Sequence, residues 1–133
     1  KPHRFAEYFD FSALHCASHI QMDKAMRSLG TLGGGNHFIE ANKDDDGNLY
    51  IVIIPEAAVL EKEVTEYYLN QGQKSFKKNR DYKYLMNLPG LKGDMMQHYL
   101  HDLQDLQKYA SLNREIMLDE LVKGMKWKSL GFL

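Results

Sequence analysis

The stretch from His37 to Pro55 constrains the fold more than any other part of the chain, because two strand-like runs, HFIEAN and LYIVIIP, flank the polar turn KDDDGN. β-Branched and aromatic residues favour extended backbone, and the Asp-Gly step provides the positive φ that a tight antiparallel connection needs. The pattern predicts two antiparallel strands, His37–Asn42 and Leu49–Pro55. The second run is almost continuously apolar, which is the habit of a strand covered on both faces and therefore of a sheet inside a larger body. Pro55, lacking an N–H, closes it.

Helical spacing accounts for most of the rest. Ile20, Ala25, Met26 and Leu29 predict one short helix in the first 35 residues, with Gly30 as a left-handed stop. After Pro55 an amphipathic helix is expected from about residue 57 to residue 77, with Leu60, Val64, Tyr67 and Tyr68 on one side and Glu61, Lys62, Glu66 and Asn70 on another. The polar stretch that follows contains KKNR, the one dense basic patch, for which an exposed turn is a simpler reading than a phosphate contact. LPGLKGD then marks a boundary, and Asp94 is placed to cap a long helix carrying Met95, Tyr99, Leu103, Leu106, Ala110, Asn113, Met117 and Leu121, running to about Met125 with a kink or break expected along it. The whole reads as one domain over residues 1–133 of α+β class, antiparallel strands packed with long helices.

Composition excludes several classes. At 133 residues, 44% hydrophobic and 26% charged, the chain can bury a core without a disulfide or structural metal. A net charge of -1 gives no global basicity, so any RNA contact has to be local. Cys16 is the only cysteine, which suits a reducing compartment, and cytoplasm is the expectation. No apolar run reaches membrane-spanning length, and KPHRFAEYF is not a signal peptide. Residue 1 is Lys rather than Met, from which a longer parent chain is expected.

Gly33, Gly34 and Gly35 form an unbroken row, tolerated where backbone must approach a ligand closely. A phosphate-binding P-loop is excluded: Gly30 and Gly35 have its spacing, but Asn36 and His37 stand where lysine and a hydroxyl residue are needed. A dinucleotide loop is excluded because these glycines precede a strand. What remains is a loop that delivers Asn36 and His37 to a strand on which Asn36, Phe38 and Glu40 share one face. An amide, an aromatic ring and a carboxylate so placed can hold a purine, with His37 as a ligand or simply a structural histidine. Asn42, Asp44, Asp46 and Gly47 mimic the start of a calcium loop, but Ile53 occupies the position of its bidentate Glu, so a solvated turn is expected. His15 with His19, and His98 with His101, are spaced as metal-binding pairs that lack a third ligand nearby.

The run Ser28 to Glu40, SLGTLGGGNHFIE, resembles the RtcB family of RNA ligases almost position for position. LEKEVTEYYL and YLHDLQDLQKYASLNREIMLDEL are similar to two later helices of that family, the second with its Asn-Arg pair. The resemblance implies an RtcB-like fold, part of a larger domain, in an enzyme that uses GTP and manganese to join a 3′-phosphate or 2′,3′-cyclic phosphate RNA end to a 5′-hydroxyl end in tRNA splicing and RNA repair. It implies His37 as a manganese ligand, Asn36 beside the metal-bound phosphate, Glu40 on the guanine and Phe38 along the nucleotide. Where the family carries His-Ser-Gly-Ser-Arg, this chain has IPEAA, so Ile54 replaces a metal ligand and Ala58 a phosphate-binding arginine. The family's Asp and Cys ligands and its guanylylated histidine have no match here. The expectation is therefore part of an RNA ligase, inactive by itself and able to oligomerise, with a non-catalytic RtcB-like domain that binds RNA or a partner as the alternative.

Overall fold

A computed structural model describes residues 1–33, 37–55, 59–78, 91 and 93–126. Three short 3-10 turns, Arg4–Tyr8, Phe11–Ala13 and Ala17–His19, lead into helix α1, Met22–Ser28. Strands β1, Phe38–Lys43, and β2, Leu49–Ile54, follow, and then the long helices α2, Val59–Lys78, and α3, Gly93–Met125. Two antiparallel strands and long helices make this an α+β structure, as the sequence pattern and the family resemblance led us to expect.

The first two opening turns form because side chains replace missing helical partners. His3 Nδ1 accepts from the Phe5 N–H and Asp10 Oδ1 from the Ser12 N–H, each holding a turn start. These turns have no 3.6-residue pattern, which is why only α1 was readable in this region. They matter for the core nonetheless. Phe9 and Phe11 meet edge to face with ring centres 4.7 Å apart, and both set an edge against Tyr109 of α3 at 5.4 and 6.0 Å.

The core lies between the opening turns, α1, α2 and α3. Leu60, Val64 and Tyr68 form an i, i+4, i+8 row on α2 and are fully or almost fully buried, together with Ala25 and Leu29 of the α1 region and Leu106, Tyr109 and Ile116 of α3. α3 runs its 33 residues without interruption, so the pattern is one helix and not two consecutive ones. Its first turn contains Gly93 and Asp94, which places Asp94 inside the helix and not at the cap position. The opening turns, α1 and α2 all reach α3, through Phe9 and Phe11 on Tyr109, Ala25 on Tyr109 and Tyr68 on Asp102.

The hairpin stands apart from that core. Its register pairs Phe38 with Ile54, Glu40 with Val52 and Lys43 with Leu49. In the connecting turn the Asn48 N–H and Nδ2 donate to Asp44 at 2.8 and 3.0 Å, the Tyr50 hydroxyl donates to it at 3.1 Å, and Gly47 takes φ +83°. These donors hold the Asp44 carboxyl below its ordinary range, chiefly through the Asn48 side chain. The turn is thus satisfied internally. Contrary to the expectation for an apolar strand, β2 is not covered on both faces by the described residues: Leu49, Val52 and Ile54 are exposed. KKNR, LPGLKGD and the last three residues of IPEAA fall wholly or largely outside the described residues.

Candidate functional site

The glycine-rich loop is tied down at its start. α1 ends at Ser28, Leu29 is buried, and Gly30 turns the chain at φ +81°. Its N–H donates to Asn113 Oδ1 at 2.6 Å, while Asn113 Nδ2 donates to the Thr31 carbonyl at 3.3 Å. Asn113 is almost completely buried, so one amide side chain answers two backbone groups that would otherwise be stranded. A Cβ on Gly30 would lie 2.8 Å from Ile116 Cγ2, so glycine is required by space as well as by backbone angle. One turn earlier on α3, the Tyr109 hydroxyl donates to the Ala25 carbonyl at 2.8 Å and lies 2.8 Å from Ser28 Oγ. Burial pushes that phenol upward, so it remains a neutral donor at physiological pH.

The far end of the loop carries His37 and β1. His37 is half-buried, and its Nδ1 is shielded from solvent without a hydrogen-bond partner among the described residues. Phe38 and Glu40 are both exposed on β1, and Phe38 is 44% accessible. Asn36 lies outside the described residues. Where β2 ends, Ile53, Ile54 and Pro55 line a cleft of about 370 Å³ with Glu61 of α2 and Ala110, Asn113 and Arg114 of α3. Since Ile54 pairs with Phe38, the start of β1 and the Asn113–Arg114 pair flank the same region.

This arrangement brings together three stretches distant in sequence: the glycine loop, the end of β2 and the Asn-Arg pair of α3. Matching the chain against known families gives the one described as tRNA-splicing ligase RtcB, over residues 6–129. The chain belongs to the RtcB family. Two RtcB proteins of Escherichia coli, the RNA-splicing ligase RtcB of strain K12 and the RNA-splicing ligase RtcB1 of another strain, are each 28% identical to it over 106 residues, 75% of this chain and 25% of the relative. The chain therefore spans about a quarter of the length of the RtcB relatives it matches. No solved structure matches it. Among the described residues no helix is long and apolar enough to cross a membrane.

A second constellation, not anticipated as such, is centred on α3. Asp102 is fully buried, and its Oδ1 accepts from the His15 N–H at 2.9 Å and pairs with His101 Nδ1 at 3.0 Å; its Oδ2 accepts from the Cys16 N–H at 3.2 Å and the Tyr68 hydroxyl at 2.6 Å. Burial alone would raise this carboxyl, but the donors, Tyr68 and His101 foremost, outweigh it and hold it below its ordinary value. The same burial, reinforced by Asp102, pushes the Cys16 thiol up to about 12 and raises the Tyr68 phenol. The histidines anticipated as two separate pairs regroup. His15 stacks on His98 at 4.0 Å and meets His101 edge-on at 4.6 Å, while His19 stacks on Tyr67 instead. Sequence reasoning passed over Asp102 and Asp105 because acidic residues on a long helix ordinarily face water. The available signal was their spacing, which puts Asp102, Asp105 and Tyr109 on the buried face.

Proposed function

We propose that this chain contributes one segment of an RtcB-type RNA ligase active site, in a parent enzyme that uses manganese and GTP to join 3′-phosphate or 2′,3′-cyclic phosphate RNA ends to 5′-hydroxyl ends. The observation that carries the reading is the His37 Nδ1 atom, which is shielded from water and has no hydrogen-bond partner among the described residues. Leaving such an atom unsatisfied costs on the order of 1–3 kcal/mol, a cost that a metal ligand recovers when its ion arrives. An imidazole nitrogen is a suitable manganese donor.

Manganese, when bound, offsets phosphate charge and aligns the attacking group. The chain's own residues would act around it. His37 offers a nitrogen lone pair and must be neutral to do so. Glu40 presents an acceptor for guanine N–H groups, Phe38 a ring along the nucleotide, and Asn36 an amide toward the metal-bound phosphate. Asn113 would serve all of them indirectly, by fixing where the loop begins. The cytoplasmic setting and the RNA partner belong to the same proposal.

The chain by itself is proposed to be inactive. One histidine does not hold two ions, and Ile54, exposed at the end of β2, offers no donor where the family has its histidine. That substitution also favours the second reading, a non-catalytic RtcB-like domain that binds RNA or a partner. Manganese titration of the chain beside His37→Ala tests the assigned ligand: at least a tenfold loss of affinity is expected, and equal affinities would remove the role of His37. Incubating the parent protein with GTP and RNA ends separates the two readings, since RNA binding without guanylylation would leave only the second.

A further inference from the structure

The face of α3 that carries His101 holds a set of donors which the loop site does not use. His101 Nδ1, an Asp102 oxygen and an Asp105 oxygen all lie within 4.8 Å of one another. His101 Nδ1 is 3.0 Å from Asp102 Oδ1 and 3.9 Å from Asp105 Oδ2. Donors bound to one ion at about 2.0–2.2 Å stand roughly 3–4 Å apart, and both distances from His101 Nδ1 lie in that range. Asp105 adds an independent sign. The residue is only 8% exposed, and its Oδ2 is shielded with no hydrogen-bond partner among the described residues, while Lys108 Nζ lies 3.8 Å from the other oxygen. A buried carboxylate oxygen 3.9 Å from an imidazole nitrogen, with no hydrogen-bond partner among the described residues, has the arrangement of an open coordination position.

We propose that His101, Asp102 and Asp105 bind a borderline divalent transition metal of the zinc or cobalt class, at a site distinct from His37. The donor set of one imidazole and two carboxylates favours such an ion over calcium or magnesium, which prefer oxygen alone. Asp102 is oriented in advance: the His15 and Cys16 N–H groups and the Tyr68 hydroxyl fix its carboxylate, and one lone pair on Oδ1 becomes available when His101 Nδ1 turns from that oxygen to the ion. The His101 side chain is 44% exposed, so the ion has a path from solvent, and water completes the coordination. His15 and His98 wall one side through their stacked rings. Asp102 and Asp105 lie eleven and eight residues before Asn113, about 12–16 Å along the helix axis, which separates this site from the loop that Asn113 clamps.

The test is a titration of the full chain with zinc chloride by calorimetry, and with cobalt(II) by its visible absorption, for the wild type, His101→Gln, Asp105→Asn and His37→Ala. Saturable binding is expected in the wild type and in His37→Ala, with affinity at least tenfold weaker in Asp105→Asn and in His101→Gln. The exposed His101 makes its glutamine variant a safe probe of a folded chain, verified by circular dichroism. Wild-type affinity in both the His101 and Asp105 variants, no saturable binding by the wild type below millimolar metal, or a loss confined to His37→Ala would each overturn the proposal.

Discussion

Asp102 carries an ionised carboxylate into a place with no solvent access, and it survives there because four donors meet it. Charged hydrogen bonds of this kind contribute about 1.5–3 kcal/mol each in isolation, but they first have to offset desolvation. Asp102→Ala strands two backbone N–H groups and a phenol, and it is expected to cost about 3 kcal/mol or more in urea unfolding. Its carboxyl is held below the ordinary value of 3.8, so the linked stability is fully present above about pH 4 and is lost as pH falls further through the folded-state value. A thermal melt series from pH 7 down to pH 2 should show a steep decline below about pH 4 that Asp102→Asn lacks. Cys16 gives a second readout. With its thiol pushed up to about 12 and no solvent exposure, it is expected to react with a maleimide only on opening of the fold, and Asp102→Ala should speed that labelling severalfold.

At the scale of elements, α3 acts as the rail on which the glycine loop is set. Gly30→Ala forces a methyl group to within 2.8 Å of Ile116 and places an L-residue at φ +81°, a combined cost of about 1–3 kcal/mol. Ile116→Ala takes away the Cγ2 methyl that the new group meets, so Gly30→Ala is expected to cost less in the Ile116→Ala background than in the wild type by urea midpoint, and an equal cost would locate all of it in φ. Asn113→Ala should release the Gly30 amide, visible as faster hydrogen exchange at that N–H while the α2 amides near Val64 keep their protection. Much of this was legible in the residues. The Leu60, Val64, Tyr68 row, the hairpin with its Asp-Gly turn and the stop at Gly30 follow from local rules that need only a few neighbours. The opening 3-10 turns, the Asp102 cluster and the Asn113 clamp were not legible, because their partners lie far along the chain. A histidine at position 15 gives no hint that it stacks on one at position 98. The Asn-Arg pair was visible as a family mark, but its physical task emerged only once Asn113 was seen bonded to Gly30 and Thr31.

For the molecule as a whole, the hairpin is the part least provided for. Phe38, Ile39, Leu49, Val52 and Ile54 all present large apolar side chains to solvent, on a ladder to which no further strand is added among the described residues. Two strands without a covering layer are marginal in water, and open apolar edges invite pairing with other chains. Replacing Val52 and Ile54 with lysine is expected to shift the isolated chain toward monomer in size-exclusion chromatography with light scattering, leaving the melting point of the helical core within a few degrees. An unchanged distribution would mean that the hairpin is not what drives association.

The bonds that secure Asp102 reach back 86 and 87 residues to Cys16 and His15. Closing so wide a loop is a slow, entropically costly event, and it precedes the reward of the contacts it makes. On a ribosome, the aromatic residues of the first turns would emerge long before the segment around position 102 exists to receive them. Until then their partners within this chain are absent, so these rings complete their core contacts late in folding.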